Sequence, residues 1–367
     1  MKDKIPQKYS QFSALKALTK ASIRSMMKSP SAVVFSIAFP LIFIFAFGFI
    51  GDLSPKVKLS ISSHSDLANP VFTGIMANKS FQVMTDLDSI TERQEMQKSR
   101  IQAIVDIQKA ENGTFKVKII TGSHNLATAE QVEASINEMF LKTDKSLNQT
   151  LSQLVTVNKQ IVKDREYKLI DFILPGQLGF SLLAASIFGT AFVFFGFRQM
   201  LVLKRFFATP IKRSVILLSE GLARLIFQLT GALLIILIGK YFLDFTLING
   251  WITVLNMMLV SALALLVFMS FGFIISGLAK SESVIPPLSN IITLPQFLLA
   301  GTFFPIDTLP TYLQYLAKIM PLTYFNNALR AIAFDGANLW EVRFDIFIII
   351  LWGIVGYAIA TRLFKWE

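Results

Sequence analysis

The sequence predicts an α-helical polytopic membrane protein with six spanning helices and a small α/β domain inserted between the first and the second. Three observations predict it. Of 367 residues, 53% are hydrophobic and only 16% are charged, whereas an ordinary soluble chain carries about 25% charged residues. Apolar runs of the length that crosses a bilayer as a helix recur along the chain. One polar stretch, residues 52–170, interrupts them with 15 Lys/Arg, 14 Asp/Glu and no run long enough to span.

Residues 1–30 form a leader that reads as an interfacial amphipathic helix. Phe12, Leu15, Leu18, Ile23 and Met26 share one helical face, while Lys16, Lys20, Arg24 and Lys28 recur every fourth residue on another. Residues 31–51 hold the first span, the run Val33 to Ile50. No small-residue cleavage site follows it, so it is expected to be a retained helix rather than a signal peptide. In residues 52–170, strand-like runs at Val57–Ser62, Phe81–Thr85, Ile101–Ile107 and Phe115–Ile120 alternate with helix-like stretches around Ile90–Ser99 and Ala127–Ile161. Residues 171–367 supply five further spans, near Ile173–Phe197, Val215–Gly239, Ile252–Leu278, Val284–Phe304 and Phe344–Thr361.

Orientation follows from the basic residues beside these runs. With both termini on the cytoplasmic side, the inner segments collect 15 Lys/Arg against 3 acidic residues, and residues 52–170 face outward nearly neutral. The net charge of +11 is accounted for by this asymmetry, and nucleic acid is not expected as a partner. The expected location is the inner (cytoplasmic) membrane, in contact with lipid.

Several chemistries are excluded. The chain has no Cys and two His, which removes thiol chemistry and Cys-based metal sites. No G-x-x-x-x-G-K-[ST] phosphate loop and no H-E-x-x-H occur, so neither ATP hydrolysis nor a metalloprotease site is expected in this chain. No catalytic, metal or cofactor site is assigned.

Three groups of residues nonetheless invite a role. Between the second and third spans, Lys204, Arg205, Phe206, Phe207, Thr209, Pro210, Lys212 and Arg213 set an apolar pair inside a basic rim, with a Thr-Pro turn. A loop that only marks orientation explains the charge but not the aromatic pair; a short helix offered to a soluble partner explains both. Glu220 and Arg224 stand four residues apart within the third span. The acid is N-terminal, the favourable order for an intramembrane ion pair, and the pair is either functional or a structural anchor. Pro295, Gln296, Gly301, Phe304 and Pro305 frame a hinge or substrate path, with ordinary packing irregularity as the competing account.

Arg198, the run Lys204 to Arg213, Leu288-Ser289-Asn290, Pro295-Gln296-Phe297, Gly301-Thr302-Phe303-Phe304-Pro305, Leu309-Pro310, Pro321-Leu322-Thr323-Tyr324 and the ending Arg362 to Glu367 resemble the permease subunits of type-2 ABC exporters. The layout is closest to drug, lipid or antibiotic exporters with a large loop after the first span. That resemblance implies six helices per subunit and a dimer with a second copy or a paralogue. It also implies two separate ABC ATPase subunits, which hold the ATP and Mg. It implies that residues 204–213 are the coupling helix, that the leader is the connecting helix, and that residues 303–341 are re-entrant on the outer side. Pro305, Pro310 and Pro321 agree with the last point, because they break any continuous helix there. The expected substrate is hydrophobic or amphiphilic. Two rival classes remain: a membrane-anchored sensor of an outer ligand, and an ion-coupled secondary transporter.

Overall fold

Helix α1 (Gln11–Met27) opens the computed structural model, whose described residues are 10–28, 34–49, 57–63, 65, 69–77, 81–85, 87–97, 100–109, 115–122, 130, 132–135, 155–162, 168–199 and 211–363. The chain divides into two compact units, Met1–Gly51 with Leu169–Glu367, and Asp52–Lys168.

In the first unit, the Ser10 side chain caps α1 by accepting from the Ser13 amide. Leu15, Leu18, Ile23 and Met26 are half-buried while Lys16, Lys20, Arg24 and Lys28 are exposed, as the two stripes require. Phe12 departs from the pattern and is exposed. The inner stripe is turned toward protein: α1 packs on α6 (Arg213–Phe242), and Thr19 Oγ1 donates to the Ser219 carbonyl at 3.3 Å.

A π-helical turn, Val34–Ala38, leads into α2 (Phe39–Phe49). Pro40 has no N–H, so the carbonyl four residues earlier, that of Ser36, has no helical donor. Ser181 Oγ of α5 (Leu169–Gln199) takes that acceptor at 2.9 Å. In a bilayer such a group must find a partner inside the protein, so the proline that disturbs α2 also ties it to α5.

Among the described residues, four helices are long and apolar enough to cross a membrane: α5, most of α6, α7 (Trp251–Leu278) and α11 (Arg343–Leu363). At 1.5 Å per residue α5 is about 46 Å long, ample for a core of ~30 Å. Its Leu178, Leu182, Ile187 and Ala191 pack with Met257, Val260, Ala264 and Phe268 of α7 in one apolar core. They approach closely at Gly272, where an added Cβ would lie 2.8 Å from the Ile187 carbonyl oxygen; small residues let spanning helices meet in this way.

The two remaining expected spans are shorter. The π turn and α2 together run from Val34 to Phe49, and α8 (Ile285–Leu299) has 15 residues, about 22 Å. The run Val284–Phe304 therefore does not continue as one helix. Gly301 adopts φ +70°, a left-handed conformation that ends a helix, and Pro305 follows. From there the chain makes α9 (Thr311–Ala317), α10 (Pro321–Arg330) and a π-helical turn to Asp335, none long enough to span.

The second unit contains a five-stranded sheet in the order β2-β1-β3-β4-β5, with β1 Val57–Ile61, β2 Phe81–Met84, β3 Ala103–Lys109, β4 Phe115–Gly122 and β5 Val155–Val162. Among the described strands, only β3 and β4 pair antiparallel. Helices α3 (Pro70–Ala77) and α4 (Ser89–Gln97) accompany the sheet, whose core gathers Leu59, Ile61, Val71, Ile75, Val105, Ile107, Val117 and Ile119. Asp88 begins α4 by accepting from the Thr91 amide at 3.2 Å, and its hydrogen bonds to Thr91 hold its carboxyl below the usual range. One expectation is corrected: the end of the stretch Ala127–Ile161, read as helix, is strand β5. Its register with β4, Val155 opposite Phe115 through Val162 opposite Gly122, satisfies a sheet edge that lies far away in sequence.

Candidate functional site

Of the proposed coupling residues, Lys204, Arg205, Phe206, Phe207, Thr209 and Pro210 lie outside the described residues, as does the Arg213 side chain. Lys212 stands at the N-cap of α6, exposed, and its amide donates to Gln11 Oε1 at 3.2 Å. The start of α6 is thus joined to the start of α1. Arg198, at the C-terminal end of α5, donates to the Ala279 carbonyl that closes α7, so these two helix ends lie together.

Deeper in α6, Glu220, Arg224 and Gln228 recur every fourth residue and form a buried polar stripe. Arg224 donates to Glu220 Oε1 at 2.8 Å, with the two residues only 8% and 5% exposed. The guanidinium lies against Gly189 of α5, where any side chain would occupy its place. Gln228 Nε2 donates to Ser36 Oγ at 3.1 Å, and the Ser36 carbonyl accepts from Ser181. Glu220, Arg224, Gln228, Ser36, Ser181 and Gly189 therefore join α5, α6 and the π-helical turn that precedes α2. The spacing of the α6 triad is visible in sequence; the partners on the π-helical turn and on α5 are not.

Gln296 links α8 to α10. Its Nε2 donates to the Ile292 carbonyl one turn back, and its Oε1 accepts from the Leu322 amide, an orphan donor at the start of α10. Around it the broken chain is held by side chains. Asn326 donates to the Ala300 carbonyl at 2.9 Å, Thr323 Oγ1 to Ala317 at 2.6 Å and Trp352 Nε1 to Ile319 at 2.9 Å. Arg330 donates to the carbonyls of Phe172 and Gly301 and stacks over the Phe172 ring at 3.7 Å. Irregular backbone at membrane depth needs this compensation, and Gly301 is the pivot of the arrangement.

Phe304 and Pro305 follow that pivot beside an aromatic wall. Phe39, Phe43 and Phe47 occupy successive turns of α2. Phe43 lies 6.3 Å from Phe297 and 5.6 Å from Phe303, Phe47 lies 5.6 Å from Phe303, and Phe180 of α5 lies 3.9 Å from Phe297. These rings are half-buried and Phe304 is exposed. The wall draws on four separate segments. Among the described residues, no group of His, Cys, Asp or Glu could hold a metal.

Residues 123–334, more than half of the chain, match the family described as ABC-2 type transporter. The chain is 29% identical over 216 residues to ABC transporter G family member 20 of Dictyostelium discoideum, an alignment covering 58% of this chain and 29% of that protein. It is 23% identical over 341 residues to the probable multidrug ABC transporter permease YbhS of Escherichia coli K12, covering 88% of this chain and 89% of the relative. Nodulation protein J of Rhizobium meliloti is 28% identical over 115 residues, 31% of this chain and 44% of that protein. The match thus spans less than a third of the Dictyostelium relative's length and nearly all of YbhS. With multi-pass helices of spanning length and a family match over most of them, the chain belongs to the ABC-2 type transporter family of membrane proteins.

Proposed function

We propose that this chain is the permease subunit of an ABC exporter for a hydrophobic or amphiphilic substrate, such as a drug, an antibiotic or a lipid. Two separate ATPase subunits bind ATP and Mg and drive it, and a second copy or a paralogue completes the complex in the cytoplasmic membrane. The six-span count is reached by adding the Val34–Phe49 segment and α8 with its following loop to the four long helices. Residues 204–213 receive the ATPase stroke, and α1, docked on α6, accompanies them.

The observation that carries the substrate class is the aromatic wall of Phe43, Phe47, Phe180, Phe297 and Phe303. Half-buried rings offer contact area and a stacking surface without charge, which suits an apolar or aromatic molecule. Family membership favours this reading over the sensor and ion-coupled classes.

Combining Phe43→Ala, Phe297→Ala and Phe303→Ala should lower stimulation of the associated ATPase by hydrophobic aromatic dyes roughly tenfold, since each ring pair contributes about 0.5–1.5 kcal/mol. Basal hydrolysis should persist. Unchanged dye stimulation in a folded variant would move the substrate path elsewhere.

The accompanying topology has its own test. A Cys placed at Lys109, exposed at the end of β3, should react with an impermeant maleimide in intact cells stripped of any outer membrane. Reaction only after permeabilisation would reverse the orientation.

A further inference from the structure

We infer that the start of α11 holds the headgroup of a zwitterionic membrane phospholipid carrying a primary ammonium, in a cleft bounded by Glu341, Arg343, Phe344 and Phe347.

The cleft has a volume of about 540 Å³ and these four residues line it. They stand where the polar chain ends and the apolar run of α11 begins, the level at which a helix meets lipid headgroups. Arg343, Phe344 and Phe347 are spaced three and four residues apart, on one face of α11. Phe344 is 64% and Phe347 59% exposed, and α11 is the least buried of the four long helices, so this face is open to acyl chains.

The charges decide the headgroup. Glu341 and Arg343 are both exposed, two residues apart and opposite in sign, and no ion pair joins them among the described residues. Arg343 Nη1 donates to the Trp340 carbonyl at 3.1 Å, and the guanidinium stands 5.2 Å from the Trp340 ring centre. Those contacts fix the guanidinium and leave its remaining N–H donors open. Glu341 Oε2 accepts from the Asn338 amide at 2.8 Å, which fixes that carboxylate and leaves Oε1 open. A held cation and a held anion beside an apolar face complement a phosphate, an ammonium and two acyl chains. A guanidinium matches phosphate oxygens with parallel donors, and a carboxylate accepts from an ammonium. Trp340, exposed beside them, suits the interfacial level. An anionic lipid without an amine would satisfy Arg343 and be repelled by Glu341.

Native mass spectrometry of the purified full chain, titrated with phosphatidylethanolamine or phosphatidylglycerol of identical acyl composition, tests this. The wild-type protein should retain the ethanolamine lipid about tenfold better, the effect of one charge-assisted hydrogen bond gained against one repulsion. Glu341→Gln should erase the preference, and Arg343→Gln should weaken both lipids. Equal or tighter binding of phosphatidylglycerol by the wild-type chain would overturn the inference without recourse to any variant. Undiminished ethanolamine-lipid retention by the Glu341→Gln, Arg343→Gln double variant would overturn it too.

Discussion

Arg224→Gln alone should sharply reduce the folded protein in the membrane, Glu220→Gln alone should do the same, and the double change should restore most of what either single change loses. The pair is 2.8 Å apart and more than nine-tenths buried. Removing one partner leaves an uncompensated charge in a low-dielectric interior, which costs about 3–5 kcal/mol, whereas a pair of neutral amides of similar size leaves no charge to desolvate. Against a total stability of about 5–15 kcal/mol for an ordinary protein, either single loss is severe. Gly189→Val should resemble the single changes, because its side chain would claim the space of the guanidinium. Membrane abundance and thermal unfolding in detergent measure all four variants. Strictly additive losses from the two single changes would show that the residues do not act as a pair.

The α6 pair is also where sequence and structure meet most closely. An acid four residues before a base within an apolar run can hardly face anywhere but along one helix stripe, and Gln228 extends that stripe by another turn. The rest of the network was not legible. Pro40 announces an orphaned Ser36 carbonyl, but nothing in the chain says that Ser181, 145 residues later, will take it. The aromatic wall has the same character: Phe39, Phe43 and Phe47 show their helical spacing, while Phe180, Phe297 and Phe303 join them only through folding.

The long helices α5, α6, α7 and α11 were readable because a run of apolar residues without charge has few other solutions. The run Val284–Phe304 was misleading for an opposite reason. Its composition stays apolar past the point where Gly301 turns the backbone, so hydropathy continues after the helix has stopped. Strands β1 to β4 follow local alternation, but β5 owes its conformation to the distant edge of β4, and a local helical pattern gave no sign of that. In sequence Gln296 reads as part of a hinge or substrate path; in the structure its contacts brace α8 against the first amide of α10.

Under the proposed function, energy for export arrives from a separate ATPase through residues 204–213. In the coupling role proposed for this segment, Phe206 and Phe207 would supply the apolar anchors and Lys204, Arg205, Lys212 and Arg213 the basic rim. Truncating a central aromatic anchor typically costs 2 kcal/mol or more, about thirtyfold in affinity, whereas rim charges mainly tune association rate and salt dependence. The measurement is purification of the full chain from its own membranes, side by side with the Phe206→Ala, Phe207→Ala variant, followed by assay of ATP hydrolysis and of the proteins retained. The wild-type chain should bring down an ATP-binding protein in equal amount, with hydrolysis. The variant should insert normally and lose that protein, or keep it while export stops. A wild-type chain that purifies from active membranes with no ATP-binding protein would contradict the account at its centre, and a double variant with full export and full ATPase association would remove residues 204–213 from the coupling role.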